Sequence, residues 1–310
     1  MDVKSKKFFM SIEINLKKKF GNNFSEKVGL SKYSWFNLGG NADYLFKAKN
    51  IFELKAFLSE AKKYNIKTTI LGAGSNTLIR DNGVKGAVIK LIKEFSYINL
   101  IDRNTLEVGA ATLDRKIANF AKDNSLGNLE FLSCIPGSMG GAVIMNSGCY
   151  DNDISQVLLS INAIDKNSLK EVEIKNKDIN FSYRGTNLPD NLIITSAKIK
   201  CSVSERDIIE KKQLDFIQRK KMSQPSQIKT CGSTFKNINK KKKAWEIIKA
   251  AGCENFKEGD AIISPKHCNF FVNNGNAKST DIENLINKVK KRVHEKTGIK
   301  LELELKIIGE

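Results

Sequence analysis

The sequence predicts an α+β protein made of two or three compact units, for three reasons. Its 310 residues exceed the roughly 100–200 residues of an ordinary domain, and 41% hydrophobic content is enough to give each unit a core. Segments with the apolar spacing of helices are interleaved with short apolar, β-branched segments. These segments do not follow the regular strand–helix–strand rhythm of a doubly wound sheet.

The elements are predicted from these periodicities. The predicted helices are 11–20, 52–64, 113–121, 204–222, 244–251 and 280–296. Leu113, Ile117, Phe120 and Ala121 form the apolar face of the third, and Thr280 with Glu283 is a capping-box pattern at the start of the last. The predicted strands are 68–71, 84–91, 105–108, 157–164, 170–174, 192–201, a segment near 234, 270–272 and 301–307.

The chain carries a net charge of +18, almost all of it from lysine. A basic chain can bind nucleic acid, a membrane surface or an anionic small molecule. The lysines are spread along the whole sequence, and the one long run, 240–243, is typical of a solvated loop. The charge therefore indicates only a bias toward acidic ligands, and we expect no nucleic-acid partner and no membrane insertion.

The six cysteines and two histidines do not have the spacing of a metal site. No Cys-x-x-Cys pair occurs, so no metal is predicted. Residues 1–20 contain lysines but no apolar signal segment, and no stretch approaches the ~20 apolar residues that span a bilayer. We expect a cytoplasmic protein with reduced thiols.

Two glycine-rich segments are the first candidates for a ligand site. The first cofactor loop, 71–76, follows a predicted strand, and its glycines permit a tight turn that points N–H groups at an anion. It is not a Rossmann fingerprint, because Thr77 stands where a third glycine is needed. The second cofactor loop is 135–142, followed by Asn-Ser-Gly at 146–148. Two such loops suit a long diphosphate ligand; plain turns and close packing of two chain segments are the alternatives.

Four further segments contain polar residues that can contact a ligand. Arg184 beside a tyrosine can clamp a carboxylate, although a surface arginine is the simpler interpretation. Ser233 follows a glycine at a loop-to-strand junction, without the Gly-x-Ser-x-Gly pattern of a serine hydrolase. His267 is either a ligand contact or a hydrogen-bonded core histidine. Glu302 and Glu304 share one face of the final predicted strand, toward solvent or toward a cleft.

Taken together, these segments resemble the UDP-N-acetylenolpyruvoylglucosamine reductase (MurB) family of flavoenzymes. The resemblance runs from about Tyr33 to the C-terminus. Its strings, in family order, are WFNLGG at 35–40, LGAGSN at 71–76, IPGSMGGA at 135–142, FSYR at 181–184, GSTFKN at 232–237, SPKHCNF at 264–270 and ELKIIG at 304–309. Each string is weak alone, but seven in order are specific.

The resemblance implies a two-part FAD-binding domain of the vanillyl-alcohol-oxidase/PCMH type, followed by a C-terminal α+β substrate-binding domain. The implied boundaries are 1–30 for an N-terminal helical lead-in, 31–202 for the FAD-binding domain and 203–310 for the C-terminal domain. Non-covalent FAD and NADPH are the implied cofactors. The implied reaction reduces UDP-N-acetylglucosamine-enolpyruvate to UDP-N-acetylmuramate in peptidoglycan precursor synthesis, with hydride passing from flavin N5 to the enolpyruvyl group. The implied partners are this UDP-sugar and NADPH, and we expect a monomer.

The resemblance also assigns residues by position. Arg184, Ser233 and Glu304 match the family's catalytic trio, with Ser233 as the proton donor. Substrate contacts are implied for Tyr183, Lys221, Asn237 and His267. The FAD loops match Gly72, Ala73, Gly74, Ser75, Asn76, Ile135, Pro136, Gly137, Gly140, Gly141 and Ala142. The short connection between Arg184 and the strand at 192 resembles the shorter, type II form of the family.

Two alternatives stay open at this point. Another flavoprotein of the same fold, such as an FAD-linked oxidase, often tethers FAD through His or Cys, and no histidine occurs before His267. A nucleic-acid-binding protein would use the +18 charge and bind with a steep salt dependence. That second alternative leaves the glycine-rich loops unexplained.

Overall fold

The computed structural model describes residues 3–239 and 241–310, and this part contains seven helices and twenty strands. The helices are α1 (Val3–Phe20), α2 (Ile51–Lys63), α3 (Asp114–Asp123), α4 (Met139–Ile144), α5 (Arg206–Ser223), α6 (Ala244–Ala250) and α7 (Ser279–Thr297). The first ten strands are β1 (Phe24–Gly29), β2 (Asn41–Ala48), β3 (Thr68–Ile70), β4 (Thr77–Ile79), β5 (Val84–Leu91), β6 (Ile98–Asp102), β7 (Thr105–Gly109), β8 (Leu126–Gly127), β9 (Gly148–Cys149) and β10 (Asn152–Asp153). The others are β11 (Leu158–Asp165), β12 (Glu171–Lys175), β13 (Phe181–Ser182), β14 (Gly185–Thr186), β15 (Leu192–Lys200), β16 (Ser202–Val203), β17 (Lys257–Glu258), β18 (Ala261–Ile263), β19 (Phe271–Asn273) and β20 (Lys306–Ile308).

Packing divides the chain into two units. The first unit contains Ala42–Ala73 and Lys85–Phe216 together with the chain up to Val28. The second contains Gly29–Asn41, Gly74–Val84 and Ile217–Glu310. Each unit is therefore assembled from separate stretches of the chain. The domain boundaries at 30/31 and 202/203 stay predictions.

The first unit has two sheets and two hydrophobic cores. A four-stranded sheet in the order β1-β2-β5-β3 shares one core with α1 and α2. A five-stranded antiparallel sheet in the order β12-β11-β15-β7-β6 shares the other with α3 and α4. The sequence explains why α2 forms and packs on this sheet. Asn50 Oδ1 accepts from Glu53 N over 2.8 Å at the start of the helix, and Phe57 stacks on Phe46 of β2 with 4.0 Å between ring centroids.

The second unit is built around α7. This helix buries five apolar side chains on one face, at Ile282, Leu285, Ile286, Val289 and Val293, as its periodicity predicts. It ends at Gly298, whose φ of 71° is the left-handed conformation typical of a helix C-terminus. The same core receives α6, the antiparallel sheet β17-β18-β19 and the parallel pair β4-β20.

All six predicted helices are confirmed to within a few residues, except that α1 begins earlier, but the capping box predicted for α7 is wrong. The helix starts one residue before Thr280, and the N-cap is Lys278, whose N–H donates to Asp281 Oδ2 over 2.8 Å. Glu283 lies beyond the capping position. Its carboxylate instead accepts two hydrogen bonds from Arg80, both at 2.9 Å.

Two strand predictions in the C-terminal part also need correction. The segment near residue 234 is not a regular strand, because Ser233 bridges Phe270 while Phe235 bridges Leu303, which is a different partner segment. A ladder needs consecutive pairs with one partner, and this segment alternates between two. For the same reason the final strand is shorter than 301–307 and begins at Lys306, where it pairs with β4.

The lysine run 240–243 is predicted to be a loop, and the residues of it that the structure describes, 241–243, precede α6 without regular structure. Lys240 itself lies outside the described residues. Lys241 and Lys242 are exposed, and both of their backbone N–H groups donate to Asn239 Oδ1, over 2.9 and 2.8 Å. This is an Asx turn, in which a short polar side chain satisfies the backbone of the next residues.

Candidate functional site

The second cofactor loop is fixed by backbone bonds to the segment that precedes α3. Met139 N donates to Thr112 O over 3.0 Å, and Gly140 N donates to Ala110 O over 2.9 Å. A Cβ on Gly140 would lie 3.2 Å from Ala110 Cβ, so a side chain there would crowd the neighbouring segment. The first N–H groups of α4 are therefore committed to the protein. This glycine serves close packing, which was one of the alternatives left open by the sequence.

In the first unit, Gly72 of the first cofactor loop meets Ser138 of the second. A Cβ on Gly72 would lie 3.1 Å from Ser138 Oγ, so the bare backbone of one loop faces the serine of the other. Gly72 and Gly141 are exposed, while Ser138 is buried. Lys90 holds the first loop from β5: its Nζ donates to Gly72 O over 2.5 Å and to Leu71 O over 3.3 Å. Glycines at 72 and 141 thus leave loop backbone open to solvent, where a phosphate-containing ligand can approach it closely.

Arg184 lies at the tip of a two-residue hairpin between β13 and β14. Its φ is 58°, a left-handed conformation that normally favours glycine at this turn position. The guanidinium lies 5.0 Å from the ring centroid of Tyr183, and its Nη2 donates to Gly148 O over 2.6 Å. Asn146 Nδ2 donates to Ser182 O over 3.1 Å. The arginine is thus joined to the tail of the second cofactor loop, at a backbone conformation that costs energy.

Ser233 lies in the second unit on a segment held from both sides. Gly232 precedes it with a φ of 81°, which turns the chain without a steric obstacle. Phe235 N donates to Asn269 Oδ1 over 2.9 Å, and Asn269 Nδ2 donates back to Phe235 O over 2.8 Å. The serine itself is half-buried. A rigid backbone therefore presents the Ser233 side chain.

Glu304 lies beside this segment. Its N–H donates to Thr234 O over 3.0 Å, so Ser233 and Glu304 come from neighbouring, hydrogen-bonded stretches of the chain. Asn76 of the first cofactor loop donates from Nδ2 to Glu304 O over 3.0 Å. Glu304 is half-buried whereas Glu302 is exposed, so the two glutamates have different surroundings. The second unit thus brings together two members of the predicted trio. Arg184, the third, belongs to the first unit.

The four predicted substrate contacts have different environments. Tyr183 is 48% exposed and Lys221 is exposed at the end of α5. Asn237 Oδ1 accepts from Ala244 N over 2.9 Å, which satisfies the start of α6. His267 is half-buried, and burial lowers its pKa. His267 Nδ1 accepts from Asn269 N over 3.3 Å, so the neutral ring carries its proton on Nε2.

Within 3–239 and 241–310, no group of three or more His, Cys, Asp or Glu side chains is placed to hold a metal ion. In the same part of the chain, no helix has both the length and the apolar character needed to cross a bilayer.

Comparison with known proteins decides the family. Residues 224–308 match the model for the C-terminal domain of UDP-N-acetylenolpyruvoylglucosamine reductase, and residues 42–169 match that of an FAD-binding domain. The chain is 44% identical to a protein of Pelagibacter ubique named UDP-N-acetylenolpyruvoylglucosamine reductase, over 94% of this chain and 98% of that protein. The chain belongs to the UDP-N-acetylenolpyruvoylglucosamine reductase family. The protein of that name from Orientia tsutsugamushi (strain Ikeda) is 41% identical, over 97% of this chain and 99% of its own.

A solved structure supports the same assignment. The crystal structure of the family member from Thermus caldophilus superposes with a TM-score of 0.79 at 31% identity, covering 91% of this chain and 98% of that one. The predicted fold class is confirmed at this level: a chain of mixed helices and strands with an FAD-binding domain match at 42–169, followed by the family's C-terminal domain at 224–308. The chain is an FAD-dependent oxidoreductase. The two cofactor loops fit FAD, because glycines leave their backbones bare and polar groups support them from behind.

Two residues near the cofactor loops were missed by the sequence analysis. Leu113, predicted on the buried face of its helix, is 46% exposed and precedes α3, whereas Asp114 is fully buried. The burial of Asp114 could have been predicted from spacing, because Asp114, Ile117 and Ala121 recur at helical intervals on the core face of α3. No sequence pattern predicted the role of Lys90, since a lysine near the end of a strand is usually solvated.

Lys90 gives a prediction about pH. Burial, aided by the charge of Lys47, lowers the pKa of Lys90 to about 8 from 10.5. Between these values the unfolded chain keeps a proton that the folded chain has released, so the free energy of unfolding rises with pH. Urea unfolding at pH 7.5, 9 and 10 should show this rise, of about 2 kcal/mol after allowing for solvent screening, in wild type but not in Lys90→Met. Exposed Lys85→Met, on the same strand, is the control; parallel curves for wild type and Lys90→Met would contradict the assignment.

Proposed function

We propose that this chain catalyses the NADPH-dependent, FAD-mediated reduction of UDP-N-acetylglucosamine-enolpyruvate to UDP-N-acetylmuramate, a step in peptidoglycan precursor synthesis. The observation that carries the proposal is the family membership, together with a serine and a glutamate on adjacent hydrogen-bonded segments. When bound without a covalent link, FAD supplies the hydride relay from the nicotinamide to the terminal carbon of the enolpyruvyl group. The chain's own residues supply charge, protons and positioning.

Arg184 is proposed to bind the enolpyruvyl carboxylate. Negative charge grows on that carboxylate as hydride arrives at the terminal carbon, so a fixed cation stabilises the transition state more than the ground state. The contacts with Gly148 O and the Tyr183 ring fix the guanidinium before substrate binds. The left-handed φ at Arg184 agrees with this role, because backbone strain of this kind is concentrated at functional sites.

Ser233 is proposed to give a proton to the carbon next to the carboxylate. A neutral serine is a weak acid, so it can serve only because the carbon it meets becomes strongly basic. In its protonated form Glu304 can donate a hydrogen bond to the substrate carboxylate, and its backbone bond to Thr234 sets its distance from Ser233. Tyr183, Lys221, Asn237 and His267 are proposed as contacts for the rest of the UDP-sugar. We propose that the reaction takes place in the cytoplasm and that the enzyme is a monomer.

Arg184→Gly gives a direct test of this role. Glycine relieves the left-handed strain, worth about 1 kcal/mol, and offsets the lost contacts with Gly148 O and Tyr183. We therefore expect the free energy of unfolding to stay within about 1 kcal/mol of wild type, while turnover falls by about 10²-fold or more. Urea unfolding and steady-state rates measure the two effects. A variant that keeps wild-type turnover would remove Arg184 from the mechanism.

The test of the whole reaction is anaerobic. Protein loaded with FAD is mixed with NADPH while flavin absorbance is followed, and UDP-N-acetylglucosamine-enolpyruvate is then added. Bleaching by NADPH and recovery only with this substrate is the expected result. Bleaching without recovery would leave the oxidoreductase intact and refute the substrate. The FAD-linked oxidase alternative predicts recovery with oxygen and no response to the UDP-sugar.

A further inference from the structure

Asp114 is a buried carboxyl that the fold does not explain. The residue begins α3, and its side chain has no solvent exposure. Neither Oδ1 nor Oδ2 has a hydrogen-bond partner among the residues that the structure describes. Burial raises the pKa of this carboxyl well above its usual range, which favours the neutral acid over the carboxylate. A buried polar group without a partner lowers stability, so its presence needs a reason.

The ordinary structural reasons do not apply to Asp114. An acidic residue in the first turn of a helix usually bonds to free backbone N–H groups, but this carboxyl makes no such bond. Packing alone would be served by an apolar side chain, since Ile117, Ala118 and Ala121 surround the same face of α3. A leucine of similar size would fill the space without the cost of a buried acid.

The carboxyl lies against the second cofactor loop. Asp114 N donates to Gly137 O over 3.2 Å, and the preceding residue, Leu113, bridges Ser138. A Cβ on Gly137 would lie only 2.5 Å from Asp114 Oδ2, whereas its next neighbours, at 3.6 and 3.7 Å, are at ordinary distances. Gly137 does not have a positive φ, so its backbone would accept a side chain. The Asp114 carboxyl is therefore the neighbour that a side chain at this position would have to displace.

We propose that Asp114 is a positioning residue for FAD: its carboxyl lies against Gly137 on the buried side of the cofactor loop and fixes the backbone of Gly137 and Ser138 when FAD binds. The other side of this loop is open, because Pro136 and Gly141 are exposed. The cofactor contacts the open side of the loop. Asp114 acts on the cofactor through the loop and does not itself contact FAD. A neutral carboxyl offers one donor and several acceptor positions, so it can bond to an N–H or a carbonyl of the loop as FAD binds. The buried carboxyl lowers the stability of the apoprotein, and it is retained because it raises the affinity for FAD.

The first test compares Asp114→Leu with Asp114→Asn. The apoproteins are titrated with FAD by quenching of flavin fluorescence, and each apoprotein is melted by circular dichroism. Asp114→Leu should raise the FAD dissociation constant by about tenfold or more with an equal or higher melting temperature, because the unpaired acid is gone. Asp114→Asn keeps a donor and an acceptor and should stay within about threefold of wild type. Asp123→Leu, at the exposed end of the same helix, is the control and should change neither quantity.

Wild-type FAD affinity in Asp114→Leu would overturn the proposal. So would a weakened affinity that is equal in Asp114→Asn and Asp114→Leu, because a hydrogen-bonding role must distinguish the two. Each readout concerns cofactor binding and apoprotein stability, so it is independent of which substrate the enzyme reduces.

The second test is a double-mutant cycle, which also covers the case in which Asp114→Leu does not fold. Gly137→Ala is made in wild type and in Asp114→Ala. In wild type the new methyl group meets Oδ2, and we expect FAD affinity to fall by about tenfold or more. In Asp114→Ala the obstacle is absent, and the same change should cost less than about threefold. Equal losses in the two backgrounds would show that Gly137 is needed for another reason and would overturn the proposal.

Discussion

Ser233→Ala is expected to leave the reduction of bound flavin by NADPH at the wild-type rate and to slow substrate-dependent reoxidation by about 10²–10⁴-fold, the usual worth of a general acid. The reason is that the serine hydroxyl enters only when the substrate carbon needs a proton. The backbone around Ser233 is held through Asn269 and Thr234, so loss of one hydroxyl should not move the segment. Stopped-flow absorbance separates the two half-reactions.

Two comparisons make the Ser233 result interpretable. Ser226→Ala, an exposed serine in the same unit, should leave both half-reactions unchanged. Equal slowing of both halves in Ser233→Ala would indicate a general disturbance of the site and would sink the proton-donor role. In deuterated solvent, wild type should show a solvent isotope effect on reoxidation that Ser233→Ala changes, because the proton comes from an exchangeable hydroxyl.

Gly74→Ala is expected to be the most damaging single change in the first cofactor loop. Gly74 has a φ of 72°, and a Cβ there would lie 1.9 Å from the backbone oxygen of Tyr33. Rotation of a side chain cannot relieve a clash with backbone. Gly74 O also accepts from Trp35 N over 3.1 Å, so the residue is held on both sides. The loop must therefore move.

Gly252→Ala is the matched control for Gly74→Ala. Gly252 has the same φ of 72°, and nothing lies within 4 Å of its added Cβ. It should therefore cost only the left-handed strain, about 1 kcal/mol in urea unfolding. Gly74→Ala should cost about 3 kcal/mol more and weaken FAD binding by about tenfold or more, which is at least ~1.4 kcal/mol. Equal losses of stability in the two variants would mean that the left-handed backbone conformation alone, and not the clash with Tyr33, explains the need for glycine at position 74.

Local patterns of the sequence predict many elements of the fold. The helices α2 and α7 follow from apolar residues three and four apart, and β5 from a run of β-branched and apolar residues. Such elements are set by periodicity and by local caps, so few distant contacts are needed to predict them. The family strings likewise lie on short contiguous segments, which is why the amino-acid sequence alone predicts both the family and FAD.

The errors occur where a residue's partner is distant in the chain. Glu283 pairs with Arg80 instead of capping α7, and the segment at 233–236 alternates between residues 269–270 and 302–305. Neither outcome has a local signature. A strand prediction assumes one partner along its length, and tertiary packing gave this segment two.

The sequence by itself determined the helices, some of the strands, among them β5, β11 and β15, the family and the residue types available for chemistry, because each depends on short-range spacing. Only the tertiary structure decided which polar groups support the site. It placed Lys90 on the carbonyl groups of the first cofactor loop, Asp114 against Gly137, and Glu304 one hydrogen bond from the Ser233 segment. Burial and hydrogen-bond partners depend on residues far apart in the chain, and these are what set the charge state and position of a side chain.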